Sequence, residues 1–157
     1  MVINGGDMKK LRVYIDTSVV GGCYDKEFEK ESQSLFAMAG RGEILLIVSD
    51  ILADELEMAP EQVRNVLASV PDENFELVEV SQEAATLRDA YMAAEVVGPE
   101  QAYDAYHVAL ATVARADLIV SWNFKHIVHF EKIRGFNAVN LREGYLPVDI
   151  RSPQEVV

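Results

Sequence analysis

The sequence predicts an α/β fold with a central, mainly parallel sheet of four or five strands. Apolar runs of strand length alternate along the chain with segments that carry helix caps and breakers, which is typical of parallel α/β sheets. The run Ile44–Val48 is apolar throughout, as expected for a strand that is buried on both faces. A chain of 157 residues, 50% of them hydrophobic, is long enough to bury one such core.

The strands are predicted from short apolar or alternating runs. Phe75–Val80 alternates apolar and acidic residues, so it is interpreted as a third strand or as an edge strand. In chain order the predicted strands are Leu11–Ile15, Ile44–Val48, Phe75–Val80, Leu118–Val120 and a last one at Ala138–Val139.

The helices are predicted from caps and breakers between these strands. Ser49 or Asp50 caps a helix that carries Glu55, and Pro60 opens the next helix because proline suits a first helical turn. A break at Gly98-Pro99 separates the two later helices. The other predicted helices span about 27–39, 60–69, 81–96, 99–115 and 124–133.

The chain is predicted to hold one domain between two tails. Residues 1–10 are expected to form a flexible N-terminal tail, 11–142 the folded domain, and 143–157 an extended C-terminal tail on the surface or on a partner. No apolar run is long enough to cross a membrane, and the first residues do not resemble a secretory signal. The single cysteine, Cys23, excludes an internal disulfide and favours a reducing, cytoplasmic location.

The net charge of −12 opposes nucleic acid as a partner, because an acidic surface repels phosphate. The acidic residues are unevenly placed: residues 25–104 hold 5 Lys or Arg and 19 Asp or Glu, whereas residues 121–142 hold 4 basic residues and Glu131 alone. This later segment therefore offers a local basic strip. Divalent cations would also cancel several carboxylates at a site that binds them.

Candidate site residues follow from where the predicted strands end. Asp16 and Asn123 each come after a strand, and ligands of open parallel sheets bind beyond the carboxyl ends of the strands. Glu55 and Asp104 lie on helices that start near the same edge. Asp104 is the strongest single candidate, since its helix is otherwise small or apolar and an unpaired carboxylate there is costly. A hard cation such as Mg²⁺ or Mn²⁺ would compensate it.

Four segments together resemble the motifs of the PIN-domain family. Val13–Val19 resembles its first motif, a strand that ends in an aspartate. Ser49–Leu56 resembles the second, a helix with a glutamate, and Asp104–Ala111 the third. Ala116–Asn123 is similar to the fourth, a strand that leads to a polar residue. The ordered set covers about residues 11–140 and looks most like the VapC-type toxins of VapBC toxin–antitoxin pairs.

This resemblance implies a PIN-like three-layer sandwich and a metal-dependent endoribonuclease. Asp16, Glu55 and Asp104 would then bind one or two Mg²⁺ or Mn²⁺ ions, directly or through water. The fourth catalytic position, an aspartate in many members, is Asn123 here; it offers an oxygen but no charge. The expected partners are RNA, a small antitoxin protein and a second copy of the chain in a homodimer.

Four residues within or next to the motifs are candidate substrate contacts. Trp122 is placed to stack on a base, although a place in the core suits a tryptophan equally well. Lys125 is placed to contact phosphate, although a solvated position needs no such partner. His107 shares a helix face with Asp104 and is expected to be packed and bonded to a backbone carbonyl. The candidate substrate contacts are Thr17, Ser121, Trp122 and Lys125.

Two other classes of function remain open at this level. The same fold would serve as an RNA- or protein-binding module if Asn123 weakened catalysis. An enzyme of another α/β class, such as a phosphatase with an aspartate nucleophile, commonly needs a second aspartate two residues after the first, where this chain has Ser18. Receiver domains also gather acids at a sheet edge, but Asp104 on a helix fits them poorly.

Overall fold

The computed structural model describes residues 10–157. Its core is one sheet of five parallel strands, which confirms the predicted α/β class. The strands are β1 (Leu11–Ile15), β2 (Ile44–Ser49), β3 (Phe75–Val78), β4 (Leu118–Val120) and β5 (Asp149–Arg151), and their spatial order is β3-β2-β1-β4-β5. The predicted N-terminal tail, 1–10, lies outside the described residues except for Lys10.

Seven α-helices within the described residues cover both faces of the sheet, which gives the three layers that the family resemblance implies. Val13 and Ile15 of β1 face one apolar cluster, which includes residues of the first four helices, whereas Tyr14 faces the other, which includes residues of the last three. The helices are α1 (Thr17–Gly22), α2 (Glu29–Gly40), α3 (Asp50–Leu56), α4 (Glu61–Ala68), α5 (Gln82–Ala93), α6 (Ala102–Val113) and α7 (Phe130–Arg142).

Two helices have a side-chain cap where the chain leaves the sheet, and the cap at Ser49 is one of the two predicted positions. The hydroxyl of Ser49 accepts the amide of Leu52 over 3.4 Å at the start of α3. The hydroxyl of Ser81 accepts the amide of Ala84 over 3.1 Å at the start of α5. Both bonds satisfy an amide that the first helical turn leaves without a partner. The Ser49 bond fixes the start of α3, which carries Glu55, directly after β2.

The segment after β4 differs from the prediction of a helix at 124–133 and a strand at Ala138–Val139. Residues 124–127 form turns, and α7 begins only at Phe130. The side-chain oxygen of Asn123 accepts the amide of His126 over 2.9 Å, as a helix N-cap does, but the chain does not continue this turn into a helix. The pair Ala138–Val139 belongs to a helix because Val139 and Phe136 are buried on one face of α7.

The C-terminal segment 143–157, predicted as an extended tail, is partly built into the sheet. β5 pairs with β4, and Ile150 is buried against the helices of one face. Asn137 of α7 holds the approach to β5, since its side chain accepts the amide of Val148 over 2.8 Å and donates to the carbonyl over 3.0 Å. The packed unit therefore extends beyond residue 142.

The helices of this fold are short. The longest, α7, has 13 residues, whereas a membrane-spanning helix needs about 20. Within residues 10–157, no helix has the length and apolar character that crossing a membrane requires.

Candidate active site

The three central strands bring polar residues to one edge of the sheet. Asp16 directly follows β1, Ser49 ends β2, and Ser121 directly follows β4. Because β1 lies between β2 and β4, Asp16 takes the central position. α3 carries Glu55 away from β2, and the first turn of α6 carries Asp104. The structure thus places all three predicted site acids at the carboxyl edge of the sheet.

Asp16 is a buried carboxylate held by two hydroxyls. Only 4% of its surface is exposed, and its two oxygens accept hydrogen bonds from Ser18 and Ser121 over 2.5 and 2.6 Å. Burial raises the pKa of Asp16, and the charge of Glu55 adds to this rise, while the charge of His107 and the two hydroxyls oppose it. The negative charge of Asp16 is therefore costly in the folded protein.

The same two hydroxyls tie Asp16 to the loop after β4. Ser18 Oγ accepts the amide of Trp122 over 2.9 Å, and Ser121 Oγ accepts the amide of Asn123 over 2.9 Å. Each hydroxyl therefore uses its proton on the carboxylate and a lone pair on the loop. The position of Asn123 is thereby coupled to that of Asp16.

Glu55 lies in the last turn of α3 and receives two hydrogen bonds on one oxygen. Its Oε1 accepts from the hydroxyl of Thr17 over 2.7 Å and lies 2.9 Å from Nε2 of His107. Partial burial works to raise the pKa of Glu55, but the hydrogen bonds from His107 and Thr17 outweigh it and the pKa is lowered. Glu55 is thus ionised at neutral pH. Thr17, predicted to contact substrate, instead holds this acid.

Asp104 is half-buried and responds to the charge of Asp16. Desolvation raises its pKa most, and the negative charge of Asp16 raises it further, whereas His126, His107 and a hydrogen bond with Asn123 lower it. The side-chain oxygen of Asn123 is engaged by the amide of His126, so its NH₂ group is the donor available to Asp104. Asn123 therefore acts here as a turn cap and a neighbour of Asp104.

Trp122 does not lie open to a base, in contrast to the predicted stacking role. It is 5% exposed, its ring stacks on Phe28 with centroids 4.1 Å apart, and its Nε1 donates to the hydroxyl of Ser32 over 2.8 Å. Ser121 is fully buried as well and serves Asp16. Of the four predicted substrate contacts, Lys125 alone is exposed. The exposed aromatic residue of this loop is Phe124, at 46%.

Several residues of this site were missed or misassigned by sequence reasoning. His107 was expected to bind a backbone carbonyl, but its ring nitrogens face Tyr14 and Glu55. Tyr14 was interpreted only as a strand residue, and Ser18 only as a departure from a phosphatase motif. The spacing of His107 from Asp104 on one helix face was the one available signal; nothing local marks Tyr14.

The acids fit a divalent cation in their chemistry but are not grouped around one ion. Among the described residues, no three His, Cys, Asp or Glu side chains are placed closely enough to hold a metal. Yet the charge of Asp16 raises the pKa of Asp104, and the charge of Glu55 raises that of Asp16. A hard cation relieves such repulsion and prefers these oxygen donors. The residues therefore suit a divalent cation by their donor chemistry. Binding one ion requires their side chains to move closer together.

Comparisons with known proteins address the fold and the family. A family model described as "PIN domain" matches residues 12–125. VapBC2 from Rickettsia felis, solved with a DNA fragment from its promoter, is 13% identical with a TM-score of 0.59, covering 90% of this chain and 98% of that one. DNA-bound VapBC from Salmonella typhimurium is 18% identical with a TM-score of 0.56, covering 91% and 98%. At these identities the likeness shows the fold alone. No match was found among curated proteins.

Proposed function

Since this chain belongs to the PIN-domain family, we propose that it is a metal-dependent endoribonuclease that hydrolyses RNA phosphodiester bonds with Mg²⁺ or Mn²⁺. The observation that carries the proposal is the electrostatic coupling of three acids at one sheet edge. Burial is the main reason that Asp16 and Asp104 both have raised pKa values, and a neighbouring carboxylate adds to the rise in each. Acids kept together at such a cost indicate a cationic ligand.

The residues that would hold the ion are Asp16 and Asp104, with Glu55 reaching it directly or through water. Asn123 stands beside Asp104 at the fourth position and supplies an amide in place of a charge. When bound, a divalent cation supplies charge neutralisation for a phosphodiester and a lowered pKa for a water molecule. Ser18 and Ser121 orient both oxygens of Asp16, so this carboxylate is already in place before an ion binds.

Lys125 and His126 are the candidates for holding the phosphate backbone. Lys125 is exposed on the turn after β4, and the charge of His126 lowers the pKa of Asp104, which places His126 near that acid. Positive groups beside the site oppose the repulsion that the acidic chain exerts on RNA. Lys125 thus opposes part of the repulsion that follows from the net charge of −12.

Phe124 is the residue that we assign to base stacking, in place of Trp122. Its ring is 46% exposed next to Asn123 and meets the buried ring of Trp122 edge-on, with centroids 6.1 Å apart. Replacing Phe124 with Ala is expected to remove about 1–3 kcal/mol of RNA binding, or roughly a 5- to 150-fold rise in KM. The measurement is steady-state cleavage of an unpaired RNA oligonucleotide, and kcat is expected to change little.

Leu141→Ala is the control for Phe124→Ala. Leu141 is 61% exposed in the last turn of α7, and the short link from α7 to the start of β5 places it at the opposite edge of the sheet. Its replacement removes exposed apolar surface without touching the site. Equal KM values for both variants and the unmodified protein would remove Phe124 from the substrate surface.

Partners of this chain are proposed from its family and its relatives. The two similar structures are VapBC complexes bound to DNA. From them we infer that this chain is the toxin of a type II pair, that a small antitoxin protein binds it, and that it forms a homodimer. A second candidate function, an RNA- or protein-binding module without strong cleavage, is favoured by Asn123, which lacks a charge and has its oxygen engaged by His126.

The experiment that tests the proposed function is cleavage of a mixed RNA pool by the purified protein. Three conditions are compared: Mn²⁺, EDTA, and Mn²⁺ with the Asp104→Asn variant. Cleavage is expected only for the unmodified protein with Mn²⁺, since Asp104 supplies a charged ligand. Asp117→Asn is the matched control, because Asp117 lies at the amino edge, where it accepts the amide of Arg12 over 2.8 Å.

Two results would speak against the ribonuclease. Cleavage that survives EDTA would contradict metal dependence. A folded protein that binds Mn²⁺ and RNA but leaves every RNA of the pool intact would favour the binding module instead.

A further inference from the structure

A buried chain of hydrogen bonds leads from β2 to Glu55. The hydroxyl of Tyr14 lies 2.9 Å from Ser49 Oγ and 2.7 Å from Nδ1 of His107. The other ring nitrogen of His107, Nε2, lies 2.9 Å from Oε1 of Glu55. Tyr14 is fully buried and His107 is 2% exposed, whereas the side chain of Glu55 is 37% exposed. The chain thus joins the buried core to the most exposed of the three site acids.

The proton at the end of this chain has one consistent position. Oε1 of Glu55 already accepts the hydroxyl proton of Thr17, and a carboxylate oxygen of this kind only accepts hydrogen bonds. Nε2 of His107 must therefore carry the proton between them. The hydroxyl of Tyr14 lies 2.7 Å from the other ring nitrogen, Nδ1, and fixes the ring of His107 from the opposite side. A fixed ring holds its Nε2–H in one direction.

The two hydrogen-bond donors leave one carboxylate oxygen of Glu55 free. Thr17 and His107 both bind Oε1, and Oε2 forms no hydrogen bond with the described residues. A glutamate near a helix end would otherwise sample several rotamers. Fixing one oxygen orients the other, and the charge of Glu55 is close enough to raise the pKa of Asp16. Oε2 is thus the free oxygen of an oriented acid beside the central aspartate.

From these contacts we infer that Tyr14 and His107 are positioning residues, which hold Glu55 so that its free oxygen is available to the divalent cation or to a water on it. The inference rests on the proposed function and deepens it. Partners behind a metal-binding group set its orientation, and their loss commonly weakens metal binding by about 10–100-fold. Tyr14 and His107 do not themselves touch the substrate.

The test measures Mn²⁺ affinity by calorimetry in four variants, with Tm as a check of folding. His107→Leu removes the donor and is expected to weaken binding by about 10–100-fold. His107→Gln keeps a donor for Glu55 and should retain most of the affinity. Tyr14→Phe should weaken binding, whereas Tyr91→Phe should not. Tyr91 is the matched control, since it is a fully buried tyrosine whose hydroxyl donates to Asn140, on α7.

A second readout, the imidazole N–H signals in NMR spectra of the ¹⁵N-labelled protein, does not depend on the metal. The chain has 3 histidines, and His107→Gln identifies the His107 signal by its loss. A protected Nε2–H signal is expected in the unmodified protein and in Tyr91→Phe, and its loss is expected in Tyr14→Phe.

The outcomes separate the positioning role from the proposed function. Where the unmodified protein binds Mn²⁺, unchanged affinity in folded Tyr14→Phe and His107→Leu overturns the inference, as does equal weakening in Tyr91→Phe. An unmodified protein that binds no Mn²⁺ contradicts the proposed function alone. In that case the NMR signal decides: its persistence in Tyr14→Phe overturns the positioning role, and its loss supports it.

Discussion

Replacing Asp16 with Asn is expected to reduce metal-dependent RNA cleavage by at least about a hundredfold and to make the metal-free protein more stable. The loss of activity follows from removing the central charged ligand. The gain in stability follows from burial, which raises the pKa of Asp16 and makes its charge costly. An asparagine fits the position, because the oxygens of Ser18 and Ser121 can each accept as well as donate a hydrogen bond.

The sign of the pH dependence follows from the raised pKa. A carboxyl group whose pKa is higher in the folded state binds its proton more tightly there than in the unfolded chain. Its contribution to stability is therefore present at low pH and is lost as pH rises from the ordinary range of an aspartate through the raised pKa of Asp16. Asp104 adds a further loss of stability with rising pH, since its pKa is raised as well. Asp16→Asn should flatten this decline.

Thermal unfolding between pH 4 and 8, with and without Mn²⁺, measures both effects. Mn²⁺ should raise the Tm of the unmodified protein and of the Asp117→Asn control, because a ligand that binds only the folded state stabilises it. It should leave the Tm of Asp16→Asn nearly unchanged. A Tm of Asp16→Asn that is lower than that of the unmodified protein without metal would show that the charge of Asp16 is compensated inside the protein.

Replacing Gly22 with Ala is expected to destabilise the protein by about 1–3 kcal/mol. A Cβ at this position would lie 2.6 Å from Ser32 Oγ and 2.7 Å from Nε1 of Trp122. These two atoms are hydrogen-bonded to each other over 2.8 Å, so the methyl group would force them apart. Trp122 adjoins Ser121 and Asn123, and cleavage should fall together with stability.

Gly21→Ala is the control for Gly22→Ala. Gly21 is the preceding residue of α1, and a Cβ there would meet no atom within 4 Å. Because alanine favours the helix over glycine, this change should stabilise the protein by up to about 1 kcal/mol. Urea unfolding of both variants gives the two free energies of unfolding. Equal values would mean that Trp122 and Ser32 move aside without cost.

Most of the strands and helices could be predicted because their signals are local. The apolar run Ile44–Val48 corresponds to β2, which extends to Ser49, and the strand ending before Asp16 was placed correctly. The helix α7 could not be predicted from local sequence signals. It passes through Gly135, which reads as a helix breaker but lies so close to Val96 that a Cβ there would be 2.9 Å from its Cγ1. The glycine marks close packing.

The C-terminal strand was missed for a related reason. Asp149–Arg151 is too short and too polar to predict a strand, and only Ile150 of it is buried. It becomes a strand because β4 offers an open edge and Asn137 binds the backbone of Val148. Neither partner is visible from the segment itself.

By itself the sequence predicted the parallel α/β sheet from local patterns and the family from an ordered set of motifs. It also singled out Asp16, Glu55 and Asp104 as candidate site acids, Glu55 only through the family resemblance, and their role stays a prediction. Only the tertiary structure decided what those acids touch. Ser121 reaches Asp16 across 105 positions of the chain, and His107 reaches Tyr14 across 93. It also decided that Trp122 is buried while Phe124 is exposed. Burial and hydrogen-bond partners depend on which distant segments pack together, and no local pattern carries that information.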